Sequence, residues 1–289
     1  MNPMKQTELT YKKKIGDILV YIQNHLDSTL TLDVLSSHAH ISKFHFHRIF
    51  NAVTGESVLQ HIKRVRLENA AFRLHYTTDS VTDIALDSGY NSVASFSKSF
   101  MKQFNTSPRD YRKTNTPFAK YKTHENPITT AVNYNPVHHE IKDVAEHTVI
   151  FVRKTGEYTH AAKSAWEALS QFVQDKNIPC NNSKHIGITY DSPKITATDN
   201  IRYDACISYD PDTIQIERRG NVGTQRIEGG KFAVFTHKGD YQQLWNTYNY
   251  IYSSWLFSTK YKLANYPSYS IYQQQSSPEQ VVEIYIPIK

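Results

Sequence analysis

TLDVLSSHAHISKFHFHRIFNAVTGES (31–57) and VTDIALDSGYNSVASFSKSFMKQFNTS (81–107) are one pattern written twice, fifty positions apart. Asp33 answers to Asp83, Ser42 to Ser92, Phe46 to Phe96, Phe50 to Phe100 and Ser57 to Ser107. Each copy reads as a short helix, a tight turn, and a second helix. That helix opens on a serine, carries aromatics at i and i+4, and closes at a residue tolerant of left-handed geometry, Gly55 or Asn105. These are two helix-turn-helix units in tandem. Such a unit lays its second helix in the DNA major groove, so the pattern predicts a sequence-specific DNA binder.

Working outward, Ile15, Ile18, Leu19, Ile22 and Leu26 recur at the 3, 4 and 7 spacing of one helical stripe, predicting a first helix over 12–27. Val58, Ile62, Val65, Leu67, Ala70 and Leu74 predict a longer helix over 57–76, a rod between the two units. Ser107-Pro108 opens a last short helix by the Ser N-cap and Pro-at-N1 rule. Phe46, Ile49, Phe50 and Val53 are the expected buried stripe of the first reader, and Phe96, Phe100 and Phe104 that of the second. Lys43, Phe44, His47, Arg48 and Asn51 are then left to face the groove in the first reader, and Val93, Ala94, Ser97 and Lys98 in the second.

Charge follows the same division. Residues 1–120 hold 16 Lys+Arg against 10 Asp+Glu and residues 121–289 hold 17 against 17, so the whole excess of +6 lies on the half with the doubled motif. A polyanion is the partner such an excess suits. All three Trp and 15 of the 20 Tyr follow residue 120, so the second half is built on aromatic surface. Two cysteines, Cys180 and Cys206, give no disulfide framework, and no apolar run has the length of a membrane span. A cytoplasmic protein with no membrane partner is expected.

IALDSGYNSVASFSKSFMKQFNTSPRDYRK (84–113) resembles the signature stretch of the AraC/XylS family of transcription regulators, and SKFHFHRIFNAVTGESVLQHIKRVRLENAAFRL (42–74) resembles the half that precedes it. The likeness spans about residues 12–114, with Gly89, Phe96, Phe100, Pro108, Tyr111 and Arg112 at the expected spacings. It implies two readers entering successive major-groove segments on one face of promoter DNA, with RNA polymerase a further candidate partner. Arg48 is the foremost base-reading candidate, since a guanidinium makes a bidentate contact to a guanine edge. Lys63, Arg64, Lys102, Arg109 and Arg112 are the candidate phosphate contacts, which position without reading sequence.

The second half carries its own repeat. VIFVRKTGEY (149–158) corresponds to FAVFTHKGDY (232–241): an alternating strand ends in Gly-acid-Tyr and a helix follows, near 161–176 and 241–258. Strand-like runs come next, HIGITY (185–190) and YDACISY (203–209), then SYSIYQQ (268–274) and VVEIYIPI (281–288). Two strand-helix-strand-strand units predict an α+β domain, one antiparallel sheet with both helices on one face. Three domain segments are expected: 1–114, an all-α DNA-binding domain; 115–136, a linker; and 137–289.

This second half resembles the GyrI-like effector-binding domain, carried by the doubled Gly-acid-Tyr and the terminal VVEIYIPI, which implies a small-molecule ligand. Relatives often bear Glu-x-Tyr on the penultimate strand, where Ser270 and Tyr272 stand here. On the last strand Val282, Ile284 and Ile286 share the face expected against the helices, while Val281, Glu283 and Tyr285 share the other. Glu283 and Tyr285, with Tyr158, Trp166, Tyr241, Trp245 and Tyr248 around them, are the expected receptor for an amphipathic cation. Two rival readings stand beside that one: a hydrolase in which Glu283 activates water, and a drug-sequestering module. No phosphate loop, nucleophile triad or metal-spaced Cys/His set appears; the His45-x-His47 pair points to different helix faces. No cofactor or metal is expected.

Overall fold

The computed structural model describes residues 3–115, 137–180, 183–214, 216, 222–264, 266–273 and 280–289, and these fall into two compact units. The expected linker lies outside the described residues from 116 onward. Among the described residues, no helix is long and apolar enough to cross a membrane.

The first unit is helical: α1 (Pro3–Asn24), α2 (Leu32–Ala39), α3 (Lys43–Thr54), α4 (Val58–Tyr76), α5 (Val81–Asp87), α6 (Val93–Phe104) and α7 (Pro108–Asn115). Helix α1 starts well before the expected position, because the segment ahead of the apolar stripe is polar yet helix-compatible and gains a Lys12–Glu8 pair at i,i+4, 2.6 Å. Its stripe packs as expected, with Ile15 and Ile22 at 0% exposure. Thr31, Ser57, Ser80 and Ser92 each accept a backbone N–H from the first turn of the helix they open, a contribution of about 1 kcal/mol apiece.

Arginines hold this unit together from inside. Arg66 donates to the carbonyls of Leu26 (2.8 Å), Ser28 (2.6 Å) and Gly89 (3.3 Å), tying α4 to the ends of α1 and α5. Gly89 takes φ +72°, and a Cβ there would sit 2.5 Å from the Arg66 guanidinium, so glycine is required twice over. Arg73 pairs with Asp79 and Asp87, both at 2.9 Å.

The second unit is an eight-stranded antiparallel sheet in the order β1-β6-β8-β7-β3-β4-β2-β5. Its strands are β1 (His139–Val144), β2 (His147–Thr155), β3 (His185–Thr189), β4 (Arg202–Ser208), β5 (Val222–Ile227), β6 (Gly230–Lys238), β7 (Ser268–Tyr272) and β8 (Val281–Pro287). Helix α8 (Tyr158–Asp175) follows β2, and α9 (Leu244–Tyr250) follows β6, running on through a π-helical turn, Ile251–Trp255. The expected repeat is present as β2-α8-β3-β4 and β6-α9-β7-β8. The Gly-acid-Tyr motif is its hinge: Gly156 (φ +127°) and Gly239 (φ +122°) turn the chain. Glu157 then accepts the N–H of His160 to start α8, and Asp240 that of Gln242 to start the 3₁₀ turn, Tyr241–Gln243, that leads into α9.

Strands β1 and β5 fall outside the expected repeat and form the two edges of the sheet. Two residues join β1 to β2 although six strand spacings separate them in the sheet order. A flat sheet would place them about 29 Å apart, and three Cα steps span only about 11 Å. The sheet is therefore strongly curled. Where β1 pairs with β6 the backbones run close, so that a Cβ on Gly229 would lie 2.7 Å from the Val144 carbonyl oxygen and 2.8 Å from the Glu146 nitrogen, and Arg226 of β5 pairs at 3.0 Å with Glu146, just ahead of the neighbouring β2.

Both helices cover one face, as expected. Register places Val282, Ile284 and Ile286 on that face, with Phe235, Ala233, Ser270, Gly187, Ala205 and Val152 as neighbours across the ladder. On the opposite face, fully buried Asp204 is held by Arg153 (2.7 and 2.8 Å), Tyr190 (2.8 Å) and Gln225 (2.8 Å). Every oxygen of that buried carboxylate is satisfied, which is what makes its burial tolerable.

Candidate nucleic-acid interface and ligand groove

The two reader helices are sided as their spacing requires. In α3, Phe46 and Phe50 are fully buried, with ring centroids 5.8 Å apart; in α6, Phe96 and Phe100 repeat this at 5.6 Å. Gly55 (φ +77°) and Asn105 (φ +54°) end the two helices in left-handed geometry. One expectation fails: Val53 is 40% exposed rather than part of the buried stripe, because α3 ends at Thr54 and little packs over its last turn.

On the outer side of α3, Lys43, Phe44, His47, Arg48 and Asn51 are all exposed, Phe44 at 73%. The Arg48 guanidinium lies 5.7 Å from the Phe44 ring centroid, a cation–π pair already formed in the protein. Lys43 is in contact with Asp33 of α2. An open depression of about 330 Å³ lies between Leu32 and the Lys43, Phe44, His47 and Arg48 side chains. On α6, Ala94 and Lys98 are exposed, and Val93 and Ser97 half-buried. Lys102 and Arg109 are exposed and Lys63 half-buried.

Two of the arginines expected to hold phosphates are used elsewhere. Arg64 donates to Glu56 (2.6 and 3.2 Å) and Glu68 (3.1 Å), its side chain only 17% accessible. Burial pushes the Glu56 carboxyl up, but hydrogen bonds from His61 and Arg64 outweigh it and hold the group at about 2. Arg112 donates to the backbone carbonyls of Asp79 (2.6 Å) and Leu74 (3.4 Å). Both guanidiniums fasten α4 to its neighbours, and their sequence spacing gave no sign of it.

In the sheet unit the expected ligand residues do not form one site. Glu283 and Tyr285 share the face turned away from the helices, where the Tyr285 hydroxyl donates to Glu283 at 3.1 Å and Tyr285 stacks on Tyr269 at 4.7 Å. Tyr158, Trp166, Tyr241, Trp245 and Tyr248 belong to the helical side. A carboxylate and an aromatic set expected together thus stand on opposite sides of the sheet.

The helical side has a polar aromatic floor of its own. The Trp166 indole donates to the Tyr203 hydroxyl (3.1 Å), which is 3.2 Å from the Tyr272 hydroxyl; the Tyr248 hydroxyl bonds Ser270 (2.9 Å), and Thr189 bonds Ser268 (3.2 Å). Gly187 leaves the space: a Cβ there would collide with the Tyr203 hydroxyl and come within 3.0 Å of the Tyr272 ring. Tyr241, 38% exposed, stands edge-on to Tyr272 at 5.4 Å, and Trp245, 42% exposed, lies beside it in sequence on the same helical segment. Tyr158 is spent locally, donating to the Asp191 carbonyl at 2.6 Å.

Tyr203, Tyr272, Ser270 and Gly187 were missed as candidates. A signal existed: small or hydroxyl residues at alternate positions of otherwise aliphatic strands mark the face of a strand that something approaches closely.

Residues 138–289 match the family model of the GyrI-like small molecule binding domain, and residues 35–114 match a helix-turn-helix domain model. The regulatory protein SoxS of Escherichia coli K12 is 36% identical over 104 residues, covering 36% of this chain and 97% of SoxS. The right origin-binding protein of the same organism is 37% identical over 99 residues, 34% of this chain and 34% of that protein, so that likeness spans about a third of its length. Among solved structures, the DNA-binding domain of AdpA in complex with a target DNA is 24% identical, covering 39% of this chain and 99% of that one, with a TM-score of 0.36. The EcmrR C-terminal domain is 20% identical, covering 53% and 98%, with a TM-score of 0.42. The chain belongs to the GyrI-like family and is a helix-turn-helix transcription regulator of AraC/XylS type, with a small-molecule-binding domain after its DNA-binding half.

Proposed function

We infer that α3 and α6 read promoter DNA in successive major-groove segments, and that an effector bound in the helix-side groove of the sheet unit alters the output. The carrying observation is the sidedness of the readers: Phe46 and Phe50 of one and Phe96 and Phe100 of the other are wholly buried, while Phe44, His47, Arg48, Asn51, Ala94 and Lys98 are offered to solvent. Arg48, already stacked on Phe44, reads a guanine edge, a contact worth about 1–3 kcal/mol of discrimination. Asn51, His47, Val93, Ser97 and Lys98 complete the base-facing set. Lys43, Lys63, Lys102 and Arg109 hold phosphates; Arg64 and Arg112 drop from that list.

The domain limits that go with this reading are 1–114, 115–136 and 137–289. The protein works in the cytoplasm, binds without turnover, and reports to RNA polymerase once seated on DNA. Turnover has little support, because Glu283 lies on the face of the sheet turned away from Trp166, Tyr241, Trp245 and Tyr248. In the experiment that tests the reading, Arg48→Ala is compared with wild type on a selected operator and on scrambled DNA. Operator affinity falls at least tenfold while affinity for scrambled DNA changes less than threefold. Equal losses on both would show that Arg48 only neutralises charge.

A further inference from the structure

The depression beside α3 combines two chemistries. Leu32, half-buried at the start of α2, and the Phe44 ring, 73% exposed, give it carbon surface, while Lys43, His47 and Arg48 line it with hydrogen-bonding groups. Asp33, the acid next to Leu32 on α2, is in contact with Lys43, which fastens the start of α3 to α2. Of the three phenylalanines on α3, Phe46 and Phe50 are fully buried and Phe44 alone is turned outward.

Phe44 and Arg48 stand one helical turn apart, and the guanidinium carbon lies over the ring, 5.7 Å from its centroid. A ring face steadies the cation without taking its N–H groups in conventional hydrogen bonds, and among the described residues no carboxylate or carbonyl takes them either. Those N–H groups are therefore available for the O6 and N7 edge of a guanine. With the guanidinium in the plane of that base, a ring 5.7 Å away falls beside the adjoining base pair, because pairs are stacked about 3.4 Å apart. In a pyrimidine–guanine step the pyrimidine C5 stands next to the N7 edge of the guanine that follows it, so C5 is the atom presented to the ring. Thymine carries a methyl group there and cytosine a hydrogen. A methyl group between the ring and the depression leaves water, as does the part of the ring it covers; a bare C5 leaves the ring wet. The corresponding positions of α6 are Ala94 and Lys98, which supply neither a ring nor a planar fork, so the device belongs to one half of the binding site.

We propose that α3 reads a pyrimidine–guanine step as one unit, Arg48 taking the guanine and the Phe44 side of the depression taking a methyl group on C5 of the pyrimidine before it. Thymine and 5-methylcytosine carry that methyl group and cytosine does not, so methylation of a cytosine at this position strengthens binding. This rests on the reading that α3 enters the major groove with Arg48 on a guanine.

The test uses the full chain and an operator selected from random-sequence DNA, with affinity read by fluorescence anisotropy. The guanine under Arg48 is located first: its replacement by 7-deazaguanine, which lacks N7, weakens wild type about tenfold and leaves Arg48→Ala unchanged. The base before it is then set as thymine or uracil, and as 5-methylcytosine or cytosine, each pair differing by one methyl group. The methylated member of each pair is expected to bind about fourfold more tightly, the factor that removing one carbon from water is worth. In Phe44→Ala the difference within each pair vanishes while the response to 7-deazaguanine remains; the ring is 73% exposed, so its removal leaves the fold intact. Equal affinity within both pairs, or a purine before the guanine in the selected operator, overturns the methyl contact and leaves Arg48 reading its guanine. A methyl preference that persists in Phe44→Ala puts the contact elsewhere and overturns it too. If no 7-deazaguanine separates wild type from Arg48→Ala, the reading of α3 fails and the methyl contact fails with it.

Discussion

Replacing Arg64 by alanine separates an arginine that builds the helical unit from one that touches DNA. Its guanidinium makes bonds of 2.6 and 3.2 Å to Glu56 and 3.1 Å to Glu68, whose side chain is 7% accessible. Removing it leaves carboxylates without their main counter-charge in a poorly hydrated place, a change that costs about 3–5 kcal/mol for a buried pair. Glu56 keeps its bond to His61 at 2.7 Å and 22% of its side chain accessible, which favours the lower end, about 3 kcal/mol. For a helical unit of this size that is a fall of about 12–24 °C in its melting temperature. Scanning calorimetry reads the loss. Titration of operator DNA at several salt concentrations and 20 °C then reads the slope of log affinity against log salt, which should match wild type because no phosphate contact has been removed. Lys63→Ala, one position away, gives the converse: a melting temperature within about 1 °C of wild type and a slope smaller by about one. An Arg64→Ala protein that melts within about 2 °C of wild type, or loses a unit of salt slope, would refute the assignment.

Two further outcomes follow from buried charge. Glu56 is held at about 2, well below the ordinary carboxylate range, so its contribution, about 3 kcal/mol, is fully present above about pH 4.5 and is lost as pH falls toward 2. Calorimetry across that window should show the helical unit weakening on acidification, with the loss reduced in Glu56→Gln; equal acid sensitivity in the two proteins would contradict it. Asp204→Ala leaves Arg153 buried without its partner and should destabilise the sheet unit by about 3–5 kcal/mol. Operator affinity should be unchanged in the cold, and an unchanged melting profile would sink this account of the network.

Much of the helical unit was legible in the chain because helical periodicity, the duplicated phenylalanines and the left-handed stop at Gly55 and Asn105 specify local structure directly, although of the two opening serines only Ser92 caps its helix with its side chain. The Phe46/Phe50 and Phe96/Phe100 stripes and the caps at Gly55 and Asn105 needed no tertiary information. Arg64 and Arg112 did, since a guanidinium on a helix reaches solvent or a neighbouring carbonyl depending on what packs beside it. The strand alternation on β8 was also legible, and it placed Glu283 opposite Ile284 as found. Grouping Glu283 with Trp166 and Tyr248 overlooked what that alternation entails: helices covering the Ile284 face bring their own aromatics to that face. The pairing of β1 with β6 was not readable, because a short edge strand such as β1 carries too little pattern to reveal its neighbour.

The central claim is that α3 and α6 are two rigid readers presented to one duplex. Hydroxyl-radical footprinting of the full chain on its selected operator tests it most directly. Two protected patches about one helical turn apart on the same face of the DNA are predicted, with the patch under α3 alone lost when Phe44, Arg48 and Asn51 are replaced together. A single patch, or two patches on opposite faces of the duplex, would contradict the claim.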